Sequence, residues 1–143
     1  VVKMTFRFFK NCDDFLKYYF NNDMDDSFEL VREQIEKDQC YLDDNWIQRC
    51  VVEYDTNSGT IPIATIGFRK NENFNSDHIT TFEVNRNYRD MGFGSTILKD
   101  FITNYCKRPR VTLYAEDKNR NFYEKLGFVK DTSAGKFFYK KEL

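Results

Sequence analysis

The sequence predicts a mixed α/β fold built on a mostly antiparallel sheet. Three observations predict it. Alternating apolar positions, the pattern of half-buried strands, recur towards both ends of the chain. One strand–loop–helix–strand unit lies in the second half, where two glycines open an amphipathic helix. No internal repeat, low-complexity tract or linker interrupts the chain, so its 143 residues are expected to form a single domain over 1–143.

Each element follows from local pattern. Lys3 to Phe9 reads as a strand, with Met4, Phe6 and Phe8 alternating. Asp13 or Asp14 caps a helix running to about Phe20. Asn21 to Asp26 is a turn, and a second helix sets Phe28, Val31 and Ile35 on one face against Glu29, Arg32, Glu33, Glu36 and Lys37 on the other. Trp46 to Tyr54 and Ile61 to Phe68 are strands joined by a hairpin turn at Asp55 to Gly59. A polar, Asn-rich loop spans Lys70 to Asp77, and a strand from Ile79 to Val84 leads into the glycine loop. The helix that follows gathers Phe93, Ile97, Leu98, Phe101, Ile102 and Tyr105 into one stripe and ends before Pro109. Val111 to Ala115 is a strand, and Arg120 to Leu126 is a short helix closed by Gly127. Phe128-Val129 and Phe137 to Tyr139 form a last strand pair around Ser133-Ala134-Gly135.

Composition narrows the function. Hydrophobic residues at 41% fit a globular core, and the 15 Phe and 9 Tyr fill it. The formal net charge of −1 argues against a nucleic-acid partner, since such proteins carry a basic excess. No apolar run reaches membrane-spanning length and no signal pattern opens the chain, so no membrane partner and a cytoplasmic location are expected. Cys12, Cys40, Cys50 and Cys106 lack C-x-x-C spacing; the even count allows a disulfide pairing, and the scattered spacing fits buried free thiols better. His78 is the single histidine, so no multi-histidine metal site forms; it sits at a loop edge and is expected to be solvated.

The segment Phe82 to Ser95 carries the chemistry. It reads as a strand, a loop, and a helix opened by Gly92 and Gly94. A helix start presents unpaired N–H groups and partial positive charge, and glycine lets a phosphate approach that backbone. The loop is not a Walker A sequence, since no Gly-Lys-Ser/Thr follows, and it lacks the third glycine of the dinucleotide fingerprint. About thirty residues on comes Asn119-Arg120-Asn121-Phe122-Tyr123-Glu124-Lys125-Leu126-Gly127-Phe128.

With both stretches in hand the chain resembles the GNAT superfamily of N-acetyltransferases. Arg89-Asp90-Met91-Gly92-Phe93-Gly94 matches that family's Arg/Gln-x-x-Gly-x-Gly/Ala loop, and Val84 and Tyr88 extend the match in register. Phe122 to Phe128 matches its later F-Y-E-K-L-G-F stretch at every position. The resemblance implies a GNAT-like fold over nearly the whole chain, a twisted sheet of about six to seven strands flanked by about four helices.

The resemblance also implies an activity: transfer of an acetyl group from acetyl-CoA, as co-substrate and without a metal, directly to a primary amine in a ternary complex. It places the cofactor's pyrophosphate on Arg89, Asp90, Met91, Gly92, Phe93, Gly94 and Ser95 and the pantetheine arm along Phe82, Glu83 and Val84, with Asn119 as a further contact. An N–H near Val84 then polarises the thioester carbonyl. Tyr123 is implied as the general acid for the departing thiolate, and Glu83 as the base for the amine, alone or through water. Glu53, Tyr54 and His78 are further candidates for the base. Two departures stand out, Asp90 where the family often has Gly and Glu116 where it often has Asn. The acceptor is a small molecule or a protein amine, and Asp23, Asp25 and Asp26 form either an acidic rim for a cationic acceptor or a solvated turn. The protein is expected to be a monomer or homodimer. A non-catalytic CoA-sensing or protein-binding module on the same fold remains the alternative.

Overall fold

The computed structural model describes residues 3–37 and 48–143. The start of the second expected strand at Trp46, and the thiol of Cys40, lie outside the described residues. Among the described residues there are seven strands and four α-helices: β1 Met4–Phe9, α1 Cys12–Asn21, α2 Glu29–Glu36, β2 Gln48–Thr56, β3 Gly59–Asn71, β4 Ser76–Val84, α3 Phe93–Tyr105, β5 Arg110–Tyr114, α4 Arg120–Lys125, β6 Val129–Lys130 and β7 Phe138–Glu142, with short 3₁₀ turns between them. The sheet order is β1-β2-β3-β4-β5-β7-β6. It is mostly antiparallel, and β4 and β5 run parallel across the α3 crossover. This is the mixed α/β architecture the sequence predicts.

The chain divides into two compact units, one running up to Gly67 and resuming over Thr81–Gly94, the other comprising Phe68–Thr80 and Ser95–Leu143. In the first unit β1 pairs with β2 from Met4↔Tyr54 to Phe9↔Arg49. Its core gathers Cys12, Phe15, Leu16, Tyr19, Met24, Phe28, Val31 and Val51, with Phe9, Tyr18 and Ile35 packed against them. Phe9 meets the Phe15 and Tyr18 rings edge-on at 5.6 and 5.4 Å. Phe15 and Phe28 are fully buried, and truncating either to Ala would cost about 3–5 kcal/mol.

In the second unit β4 pairs with β5 from Ser76↔Arg110 to Ile79↔Leu113, and β5 pairs with β7 from Arg110↔Glu142 to Tyr114↔Phe138. Ile97, Leu98, Phe101 and Ile102 are the buried stripe of α3, and Phe101 meets Phe68 at 5.1 Å. Asp77 closes the end of that helix by accepting the N–H groups of Lys107 and Arg108, both at 3.0 Å. Cys12, Cys50 and Cys106 are buried, and burial pushes the thiols of Cys50 and Cys106 up to about 12.

Local details differ from the sequence expectation. The α1 cap is Asn11, whose Oδ1 accepts the Asp14 N–H at 2.9 Å; Asp13 and Asp14 occupy the first turn, where their charge suits the helix dipole. The expected loop over Lys70 to Asp77 shrinks to the four residues between β3 and β4. Asn75 takes a left-handed φ of 47° and closes that turn with an N–H bond to Glu72 O. Polar residues there belong to strands because their side chains pair across the sheet: Ser76 and Thr112 hydroxyls lie 2.8 Å apart. Tyr105, placed on the apolar stripe of α3, is 40% exposed because the helix ends there. No described helix is long and apolar enough to cross a membrane.

Candidate functional site

The glycine loop is shaped before α3 begins. Asn85 is buried at the end of β4 and anchors the turn that follows: its N–H donates to Ile63 O at 2.7 Å, its Nδ2 donates to Pro62 O at 2.9 Å, and its Oδ1 accepts the Asn87 N–H at 2.9 Å. An asparagine accepting from the backbone two residues on is an Asx-turn, so this residue was findable in the sequence and was not among those singled out. A 3₁₀ turn over Arg86–Tyr88 follows. Asp90 and Gly92 then adopt positive φ values of 62° and 81°. Asparagine and aspartate enter this region at small cost, and glycine at none. An added Cβ at Gly92 would meet nothing within 4 Å, so the backbone faces open space there. Helix α3 starts at Phe93, so the N–H groups of its first turn have no carbonyl of the helix to bond. Phe93 is seated by Tyr54 at 5.3 Å and Tyr88 at 6.0 Å, both edge-on. This fits a phosphate group approaching the backbone of Met91 to Ser95. Arg89 supports the loop from below: its Nε donates to Val84 O at 3.0 Å and its Nη2 to Glu83 Oε2 at 3.3 Å.

Glu83 is 7% exposed and fully engaged in structure. Oε1 accepts the Val31 N–H at 3.0 Å; Oε2 accepts the Leu30 N–H at 2.9 Å as well as Arg89. The carboxylate therefore caps the start of α2 from another element. The structure brings Glu83, Val84 and Arg89 together. Phe82 and Val84 are half-buried on the part of β4 that continues past the β5 register, which ends at Ile79↔Leu113.

In the second unit, Tyr123 lies on α4, packed by Phe122 at 5.0 Å, Phe128 at 5.7 Å and Tyr139 at 6.4 Å. Burial pushes its phenol up to about 12, so it holds its proton across the physiological range. The turn behind it is closed by Leu126 and Phe128, whose N–H groups both bond Tyr123 O, and by Gly127 at a φ of 93°. Asn119 sits exposed at the start of α4, its N–H bonded to Glu116 O at 2.9 Å.

The other candidates resolve differently. His78 is not a solvated loop residue: it lies within β4, 3% exposed, because the strand begins three residues earlier than expected. Glu53 accepts Arg7 Nε at 3.0 Å and the Tyr18 hydroxyl at 2.7 Å, which assigns it to the β1–α1 scaffold. Asp23, Asp25 and Asp26 line a cavity of about 480 Å³ with Tyr19, Phe20 and Met24, and Asp25 accepts the Tyr19 hydroxyl at 2.5 Å. Among the described residues no group of three or more His, Cys, Asp or Glu is placed to hold a metal ion.

Similarity to known proteins bears on this arrangement. The acetyltransferase (GNAT) family model matches residues 10–128. No curated protein sequence matches the chain. Among solved structures, GCN5 from Tetrahymena is 16% identical, with a TM-score of 0.65 over 96% of this chain and 95% of that one. A chimera of spermidine N-acetyltransferase SpeG from Vibrio cholerae and hSSAT is 19% identical, with a TM-score of 0.62 over 97% and 94%. A KacTA–DNA complex contains a chain 10% identical, with a TM-score of 0.60 over 98% and 93%.

The last match corrects one expectation. Nucleic acid was excluded as a partner on net charge, yet a chain of this fold occurs in a complex with DNA. Net charge sums over the whole surface and does not describe the local patches through which a nucleic acid binds. Two motifs in the family's order and a family match that covers most of the sequence agree with the strand order found here. The chain belongs to the acetyltransferase (GNAT) family.

Proposed function

We propose that the chain is an acetyl-CoA-dependent N-acetyltransferase that passes the acetyl group to a primary amine while both substrates are bound. The observation that carries this is the backbone of the glycine loop: left-handed Asp90 and Gly92, open space at Gly92, and the first turn of α3 immediately after, in a chain of the acetyltransferase family. Such a backbone binds a pyrophosphate without a metal.

Acetyl-CoA supplies an acyl group activated as a thioester. The N–H groups of Met91 to Ser95 donate to its phosphates, with Arg89 and Asp90 shaping the loop. Phe82 and Val84 offer strand-like pairing to the pantetheine amides, because β4 runs on past its register with β5. Asn119 provides a further amide contact. An N–H near Val84 donates to the carbonyl oxygen as negative charge builds there. The amine nitrogen attacks the carbonyl carbon; the C–N bond forms and the C–S bond breaks. Tyr123 gives its phenolic proton to the departing sulfur and recovers one from water. Three donors hold the Glu83 carboxylate, so we assign the surplus proton of the amine to water rather than to Glu83.

The engaged Glu83 also favours a second reading, a non-catalytic CoA-binding relative. One experiment separates the two. Purified protein is given acetyl-CoA and a panel of amines, small and peptidic, and thiol release is followed alongside calorimetry with acetyl-CoA. The enzyme reading expects release with at least one amine and loss of binding in Gly94→Trp. Binding without release on any amine supports the second reading. Undiminished binding in Gly94→Trp removes the loop assignment.

A further inference from the structure

Helix α2 lacks a cap of its own. The residue at its N-cap position is Phe28, which makes no side-chain capping bond. A helix start leaves N–H groups that need a partner, and serine, threonine, asparagine or aspartate normally supplies it. Here the partner arrives from more than fifty residues away: Glu83 takes the N–H groups of Leu30 and Val31. The same carboxylate takes Arg89 Nη2, and Arg89 Nε holds Val84 O. Arg86 adds two more ties to the same turn, its N–H to Ser27 O at 2.9 Å and its guanidinium to Glu29 at 3.2 Å.

We infer that Glu83 is a positioning residue, not the catalytic base, and that it couples the cofactor loop to the first turn of α2 through Arg89. This rests on the loop binding the phosphates of acetyl-CoA, as proposed above. A carboxylate has about four lone-pair sites, and three are taken here, one of them by a cation. Taking a proton from the amine requires breaking that arrangement, whereas holding Arg89 and α2 requires only keeping it. Arg89 belongs to the loop that meets the phosphates, so whatever moves Arg89 alters the charge facing the cap of α2, and whatever moves α2 alters the grip on Arg89.

Glu83→Gln tests this, because the amide keeps the shape and one acceptor oxygen but loses the charge. Hydrogen exchange at the Leu30 and Val31 amides is expected to quicken about tenfold, the size of a lost helix cap. CoA, titrated by calorimetry, is expected to bind about tenfold more weakly through the released Arg89, a loss of the size that follows from breaking one part-buried charge-assisted bond. The Michaelis constants rise more than kcat falls, and the pH profile of kcat/KM keeps its ascending limb. Arg89→Ala, a change at a surface residue, keeps the test available should Glu83→Gln fail to fold: it is expected to weaken CoA and also quicken exchange at Leu30 and Val31. A base role gives the opposite pattern for Glu83→Gln: the ascending limb disappears, kcat collapses, and the two amides stay protected. Unchanged exchange at Leu30 and Val31 in both variants overturns the inference whatever the activity. If the wild-type protein binds no CoA, the functional reading fails and the coupling fails with it, while the exchange data still report the cap.

Discussion

His78 Nδ1 lies 2.8 Å from Thr112 Oγ1, and Thr112 Oγ1 lies 2.8 Å from Ser76 Oγ, so a buried three-residue chain links β4 to β5. Tyr114 meets the imidazole edge-on at 5.3 Å. Burial holds the His78 pKa down to about 4, with the Arg69 cation adding to it. The folded protein therefore resists a proton that the unfolded chain accepts near pH 6.5. As pH falls from about 6.5 to about 4 the unfolded state binds the extra proton and stability drops by about 3 kcal/mol from this residue alone. Urea melts across that range, with the imidazole followed by NMR, check both the loss and the midpoint; a midpoint near 6.5 contradicts the burial.

Asp90 takes a left-handed conformation where glycine is cheaper by about 1 kcal/mol. Asp90→Gly is expected to gain no more than about 1 kcal/mol, because relief of the left-handed backbone is partly offset by the freedom glycine adds to the unfolded chain. Asp90→Ala removes the charge without relieving the backbone and is expected to be the less stable of the two. If the loop holds phosphates, both variants bind CoA more tightly than the wild type, because one negative charge has left the loop.

Tyr123 holds its phenol up at about 12, so an acid role survives into mildly alkaline solution. Turnover is expected to show no descending limb from this residue below about pH 10, the ordinary tyrosine value. Tyr123→Phe is expected to slow turnover about a hundredfold at saturating substrates while the fold is kept. An unchanged rate removes Tyr123 from the chemistry.

The Tyr139 hydroxyl is buried with no hydrogen-bond partner among the described residues. Its ring is fully buried beside Tyr123, so the polar atom costs stability and gains nothing visible in return. Tyr139→Phe is expected to stabilise the free protein by about 1 kcal/mol in urea unfolding. A loss of stability instead points to a bridging water that the hydroxyl holds.

Much of this fold was legible because its signals are local. The β1 alternation, the α3 stripe and the Gly127 stop depend on residues a few positions apart, and the structure keeps the Gly127 turn and the middle of the α3 stripe, while the β1 alternation holds at Met4 and Phe6 and breaks where Phe8 is exposed and Phe9 packs on the core. The glycine loop and the Phe122 to Phe128 stretch were legible for the same reason, since both are continuous motifs. The signals failed where polarity was read as solvent exposure. Ser76 and His78 look like loop residues, yet both are buried because hydroxyls and an imidazole satisfy one another across β4 and β5.

Sequence alone established the family and the position of the glycine loop, because that signal is glycines at fixed spacing before a helix. It also named Glu83, through the family resemblance, which places a glutamate on the strand before the loop. What Glu83 touches was decided by tertiary structure alone. Its partners, Leu30 and Val31 on one side and Arg89 on the other, include two backbone amides, which no residue code distinguishes. Helix α2 begins without a capping side chain, and only the folded arrangement shows that a carboxylate from β4 takes that place.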